Sequence, residues 1–327
     1  TLDNYTDLYY GSSVTLEVQR GLSSNDIVKV SMVANEDWED PVLLGKTFDV
    51  NGKKVGYLVY NSFDVKTMET LPDVFRSFKA DGIQELILDL RYNGGGFVIT
   101  ECELASLIAP YSNVSAGDVY QTELYNALLT EAWKDEDFNT YFETKFEYKT
   151  DTYDIMEDIS DANVDLKKMY VIVTGGSASA SEGLIVGLGP YMDITLIGEQ
   201  TYGKYCAGYM MSPANLYGNQ STTDYSLINK WGIYVMVSQF ADKNGNNPAM
   251  PDGIPADIEA HDDPFDGYQL GDEDETMLSA ALAAAGKPVT KVVSSSRHAF
   301  DLEILDHGRP RGILIKSDLP SSLPVNF

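Results

Sequence analysis

Basic side chains are scarce: 23 Lys and Arg stand against 50 Asp and Glu, a formal charge of −27 over 327 residues. A protein that holds phosphates needs a basic face, and no Lys/Arg cluster here is dense enough to invert that average, which excludes nucleic-acid binding. Cysteine is nearly absent. Cys102 and Cys206 are too few for a disulfide framework, and neither has the CxxC or His-rich setting of structural zinc. Histidine is as rare: His261, His298 and His307 fall in the last quarter with no i, i+4 pair, which argues against a metal site and against a His base. Long apolar runs are missing too; 171–174 and 235–237 are strand-length, far below the ~20 residues of a membrane helix, so no span is expected. The chain opens at Thr1 without a basic-then-apolar leader, as expected of a trimmed or mature product, so localisation has to come from elsewhere.

What is present is a globular composition, 43% apolar and 11% aromatic. Residues 1–37 alternate like strands, with Val14, Leu16 and Val18 on one face and Ile27, Val28 and Val30 after a Gly/Ser/Asn turn, and read as a small β module. Residues 38–53 read as a connector. From 54 to 287 strands, glycine-rich loops and helices alternate: strands at 55–60, 85–90, 169–174, 194–197 and 232–238, and a helix carrying Leu71, Val74, Phe75 and Phe78 that Gly82 stops. That order predicts an α/β core with buried strands. An insertion at 110–165 carries a helical stretch at 123–133 and an acidic, Tyr-rich run at 135–161. It reads as a solvated loop with a surface helix, or alternatively as a lid on the substrate side. A helix at 273–285, ended by Gly286 and Pro288, precedes an irregular extension at 288–327 with one strand at 312–316.

Three segments could carry chemistry. Gly175, Gly176 and the run Ser177-Ala178-Ser179-Ala180-Ser181-Glu182 join a buried strand to a helix, a turn that can expose a nucleophile beside free N–H groups at the positive helix end. A tight turn capped by Ser181 would need no chemistry at all. Lys204 closes the loop Gly198-Glu199-Gln200-Thr201-Tyr202-Gly203-Lys204 after the next strand. Neighbouring parallel strands put their C-terminal loops on one sheet edge, so this lysine can stand near the serines. It can take a proton from Ser only when neutral, which requires burial to lower its pKa. The third segment, Asp89-Leu90-Arg91-Tyr92-Asn93-Gly94-Gly95-Gly96, lets the backbone approach a ligand and aim amides at an oxygen, yet lacks any phosphate-loop pattern.

In order and spacing these three segments resemble the carboxyl-terminal processing (tail-specific) serine peptidases, over residues 54–285. The resemblance implies Ser179 as nucleophile and Lys204 as base, an oxyanion hole from the N–H of Ala180 with Gly95 or Gly96, and Glu182 as a supporting carboxylate. It implies an α/β core of repeated β-β-α units like the crotonase and Clp protease folds, preceded by a partial PDZ module. It further implies polypeptide substrates with unstructured, apolar C-termini, no cofactor or metal, and work outside the cytoplasm, in a bacterial periplasm or envelope. Two positions depart from the pattern: where the family has Gly after the Lys and an orienting Gln four residues beyond it, this chain has Tyr205 and Gly208. The alternatives are a catalytically silent peptide- or ligand-binding protein on the same scaffold and, more remotely, a crotonase-type thioester enzyme. Cys102 and Cys206 are expected near the site, as free thiols or a disulfide. Residues 242–247 are expected to make an Asn-Gly hairpin turn rather than a calcium loop.

Overall fold

A computed structural model describes residues 11–19, 27–35, 37–213, 228, 231–263, 266–288 and 314–315. β1 (Ser13–Gln19) and β2 (Ile27–Val33) pair antiparallel as a separate two-stranded sheet; a lone hairpin of itself identifies no domain type. β3 (Val42–Val50) and β4 (Lys53–Tyr60) form a hairpin. Its turn is Asn51-Gly52, both at positive φ, the pair a two-residue hairpin turn prefers. α1 (Leu71–Asp81) begins with Pro72 in its first turn and ends at Gly82, whose left-handed φ of 72° closes the helix as the sequence predicts.

β5 (Glu85–Asp89), the short β6 (Gly96–Phe97), α2 (Val98–Ile108) and α3 (Tyr111–Ala116) follow. The insertion supplies β7 (Val119–Tyr125), α4 (Ala127–Ala132), β8 (Asn139–Tyr141), β9 (Lys145–Lys149) and β10 (Asp154–Asp158). β11 (Lys168–Val173), α5 (Ala180–Leu188), β12 (Asp193–Gly198), β13 (Cys206–Met211) and β14 (Ile233–Asp242) come next. β15 (Ile258–Glu259), α6 (Thr276–Ala284) and β16 (Leu314–Ile315) complete the mixed α/β fold.

Two six-stranded sheets carry the fold. The first runs β15-β12-β11-β5-β4-β3, parallel except at the β3 edge, and the second runs β6-β16-β13-β14-β7-β8. Both faces of the first sheet are buried, as continuous apolar strands require. Val55, Tyr57, Val59, Ile87 and Ile172 pack under Met277, Leu278 and Leu282 of α6. On the other face, Leu58, Leu86, Leu88 and Val171 pack with Phe75, Leu104 and Leu184 from α1, α2 and α5.

Four expectations change. Residues 42–50 are not a connector but the edge strand β3, because Phe48 and Val50 reach the core while their neighbours stay wet. The predicted helix at 123–133 divides into the end of β7 and the short α4, since Glu123 lies in the pairing of β14 with β7. The run at 135–161 is not a solvated loop; it contains β8 and the β9-β10 hairpin, with Phe142, Phe146 and Ile155 buried. The strand expected at 232–238 belongs to the second sheet and continues to Asp242. Among the described residues, no helix is long and apolar enough to cross a membrane, and no group of three or more His, Cys, Asp or Glu is placed to hold a metal. Cys102 is buried, Cys206 is half-buried, and both are free thiols.

Candidate active site

The loops after β5, β11 and β12 meet at the C-terminal edge of the first sheet, where crossover connections leave a crevice. Hydrogen bonds lace them together. Ser177 Oγ donates to Leu90 O at 2.7 Å, Ser181 Oγ to Asn93 O at 2.8 Å, and the N–H of Ala178 to the same Asn93 O at 3.1 Å. Tyr202 N donates to Ser177 O at 3.0 Å, which ties the third loop to the second.

Of the three serines in the run, the two outer ones are therefore consumed by structure. Ser179 differs. Its hydroxyl is buried and donates to no acceptor among the described residues, facing only the Glu182 N–H in a loose capping box, and its backbone sits at φ 61°, ψ −113°, where a non-glycine residue is strained. A strained serine at the start of a helix with an uncommitted Oγ has the geometry of a nucleophile elbow. The glycine loop closes on it from the other side. A Cβ placed on Gly95 would stand 2.8 Å from the Ser179 Cβ and 3.0 Å from Ala180 N, so only glycine permits this approach. Gly95 N itself donates to Asn93 Oδ1 at 2.9 Å, so this residue contributes space rather than a free donor.

Glu182 is the joint between Ser179 and the lysine loop, and it is fully buried. Its Oε2 accepts from Ser179 N at 3.0 Å and from Lys204 N at 2.9 Å; its Oε1 accepts from Thr201 Oγ1 at 2.6 Å and Gly203 N at 2.7 Å. The backbone nitrogens of Ser179 and Lys204 thus converge on one oxygen and lie within about 6 Å, twice a hydrogen-bond length. Four donors also explain how a carboxylate is tolerated in the interior.

The Lys204 side chain is half-buried, with Nζ 5.7 Å from the centroid of the Tyr234 ring. Burial pushes its pKa below the ordinary lysine value, while Cys206 and Glu182 pull it back up. Loss of water decides the direction, as a lysine base requires.

Two supports were not legible as site residues. Thr201 donates to Glu182 and accepts from Ile254 N at 2.7 Å, which braces the lysine loop against 252–254. Arg91 is fully buried beneath the glycine loop, bonded to Asp89, Glu275 and Asp262 at 2.8 to 2.9 Å. Glu275 also caps α6 through Met277 N and Leu278 N, so the guanidinium fastens the loop to the opposite layer. A charged residue next to a glycine cluster signals nothing about such a cage, because its partners come from 171 and 184 positions away.

Residues 54–260, more than half of the chain, match the model of peptidase family S41. The chain belongs to peptidase family S41. Among curated relatives, a CtpA-like serine protease of Staphylococcus aureus (strain N315) is 27% identical over 199 residues, 59% of this chain and 32% of that protein. A carboxyl-terminal-processing protease of Picosynechococcus is 25% identical over 194 residues, 59% of this chain and 39% of that protein. The chain thus spans about a third of the length of the curated relatives it matches. A solved S41 protease from Bacteroides fragilis superposes with a TM-score of 0.66 at 25% identity, covering 87% of this chain and 69% of that one.

Proposed function

We propose that this S41 chain is an endopeptidase of the carboxyl-terminal processing type, with Ser179 as nucleophile and Lys204 as its base. The observation that carries the reading is the contrast within one loop: Ser177 and Ser181 donate to backbone carbonyls, whereas the Ser179 hydroxyl donates to none on strained backbone, and the Ser179 amide shares one Glu182 oxygen with the amide of Lys204, a partly dehydrated lysine. In the reaction, neutral Lys204 takes the Ser179 Oγ proton as oxygen attacks the substrate carbonyl carbon. It returns that proton to the departing amine, and water then hydrolyses the acyl-enzyme by the same route. The amides of Ala180 and Gly96 would receive the carbonyl oxygen as it becomes an oxyanion. Glu182 touches neither reacting atom; it positions the two groups through their backbones.

The two departures from the family pattern bear on how the lysine is oriented. A Cβ on Gly208 would stand 2.5 Å from Val235 O, so no side chain fits there to hold the ammonium. Orientation falls instead to the backbone bond from Lys204 to Glu182 and to the Tyr234 ring face. By the same resemblance, substrates are polypeptides with unstructured, apolar C-termini, met outside the cytoplasm.

The test is to incubate an unfolded polypeptide of that kind with wild type, Ser179→Ala and Lys204→Ala, and to follow fragments by mass spectrometry. Fragments from wild type alone support the dyad. No cleavage by wild type, or equal cleavage by all three, rejects it.

A further inference from the structure

The helix that begins beside Ser179 is gripped from the side by groups that the reaction does not use. Gly183 and Gly187 stand four residues apart, so they leave one bare face along α5. A Cβ on Gly183 would lie 2.6 Å from Glu101 Oε1, and one on Gly187 would overlap the Tyr120 ring. Side chains of α2 and of β7, the first strand of the insertion, fill the space those glycines leave.

Three buried polar groups meet on that face. Gln121 Nε2 donates to Glu101 Oε1 at 2.7 Å and to Gly183 O at 2.6 Å, and Tyr120 Oη donates to the same Glu101 oxygen at 2.8 Å. Just beyond the far end of α5, Tyr191 Oη donates to Val119 O, so β7 is fastened along the whole helix. The grip reaches Ser179 directly, because Gly183 N donates to Ser179 O at 2.7 Å. It also spans the two sheets. α5 packs on the first sheet, whereas β7 pairs with β14, and β14 with β13, the strand that begins two residues after Lys204.

We infer that Glu101 is a positioning residue for Ser179: with Gln121 and Tyr120 it clamps α5 to the insertion strand and so fixes the serine turn relative to the sheet that carries Lys204. The inference deepens the dyad reading and rests on it. Glu101 Oε2 has no hydrogen-bond partner among the described residues, and burial pushes the carboxyl up to about 8. At neutral pH the group is therefore held as the uncharged acid, whose Oε1 still accepts while no charge is stranded in the core. A glutamine amide offers the same acceptor in the same shape; an aliphatic side chain offers none and leaves the Tyr120 hydroxyl and one Gln121 proton unpaired.

The test uses the full chain as wild type, Glu101→Leu, Gln121→Leu and Glu101→Gln, each assayed well below its melting temperature. The readouts are kcat and KM on an unfolded polypeptide, the rate of fluorophosphonate labelling at Ser179, and amide exchange across 180–188. Both Leu variants are expected to lose about tenfold or more in kcat and labelling rate with KM nearly unchanged, since the clamp moves the serine and not the substrate walls. Their α5 amides should exchange about tenfold faster or more, whereas Glu101→Gln should match wild type in every readout. Should Glu101→Leu not fold, Gln121→Leu, which leaves α2 intact, carries the test. Folded Leu variants with full kcat and labelling overturn the positioning role even if they melt earlier, and so does a Glu101→Gln as slow as Glu101→Leu. If wild type neither cleaves nor labels, the dyad reading fails and exchange alone decides the clamp: faster exchange in the Leu variants with Glu101→Gln protected sustains it, and unchanged exchange overturns it.

Discussion

Replacing Glu182 by Gln is the most informative single change, because one carboxylate holds four donors from two loops. The amide keeps the size and one acceptor oxygen, but its NH2 group cannot accept. Two of the four donors then face a donor, and the other two lose a charged acceptor. Hydrogen bonds to charged groups are worth about 1.5–3 kcal/mol each, so losing two costs about 3–6 kcal/mol locally. That is a large share of the 5–15 kcal/mol by which a typical domain is stable, so the lysine loop should loosen before the whole fold does. The measurements are kcat/KM on an unstructured polypeptide, urea unfolding, and amide exchange at Gly203 and Lys204. The expectation is a drop in kcat/KM of a hundredfold or more, since a displacement of about 1 Å can cost that much, with rapid exchange at both amides. Glu182→Ala, which leaves all four donors without a partner, is expected to be worse in every respect. If both variants keep kcat/KM within twofold and both amides stay protected, the joint assigned to Glu182 does not exist.

Other outcomes follow from the same geometry. Gly95→Ala puts a methyl 2.8 Å from the Ser179 Cβ at a φ of 103°, so activity should fall at least a hundredfold with a stability loss of about 1–3 kcal/mol, read by cleavage assay and thermal melting. Activity should rise with pH as Lys204 loses its proton, with an apparent pKa in kcat/KM below 10.5; Lys204→Arg, always protonated, should be inactive at every pH. Glu101, buried where it accepts from Tyr120 Oη and Gln121 Nε2, has its pKa pushed up by burial to about 8 from 4.5. The folded state therefore keeps a proton that the unfolded chain releases near 4.5, and stability should fall between about pH 4.5 and 8 by a few kcal/mol. Glu101→Gln should flatten that slope in urea titrations.

Much of the site was legible because its chemistry is written in contiguous runs. Ser177 to Glu182, the loop ending at Lys204 and the triple glycine each fall directly after a buried strand, and parallel strands carry their following loops to one edge whatever the connections do. The buried strands announced themselves by continuous apolar sequence. The rest depends on partners far away in the chain. Residues 42–50 looked like a connector because only alternate side chains are buried and the pairing strand supplies the order. Glu123 to Trp133 looked helical because an amphipathic spacing cannot report that β14 claims its first residues. Gly95 was nominated as a donor, yet its amide closes a turn on Asn93, a bond set by the side chain two residues earlier. The cage around Arg91 joins positions 89, 262 and 275, and no local pattern records it. The assignment of the outer serines to structure likewise needed the carbonyls of Leu90 and Asn93 in place.

The central claim is that Ser179 is the nucleophile and that its neighbours Ser177 and Ser181 are not. A fluorophosphonate, which phosphonylates an activated serine and releases fluoride, reads this directly when the modified residue is located by peptide mass mapping in wild type, Ser179→Ala and Lys204→Ala. The account expects one adduct, on Ser179, absent from Ser179→Ala and formed at least a hundredfold more slowly in Lys204→Ala. An adduct on Ser177 or Ser181, or labelling of Ser179 at an undiminished rate without Lys204, would contradict it.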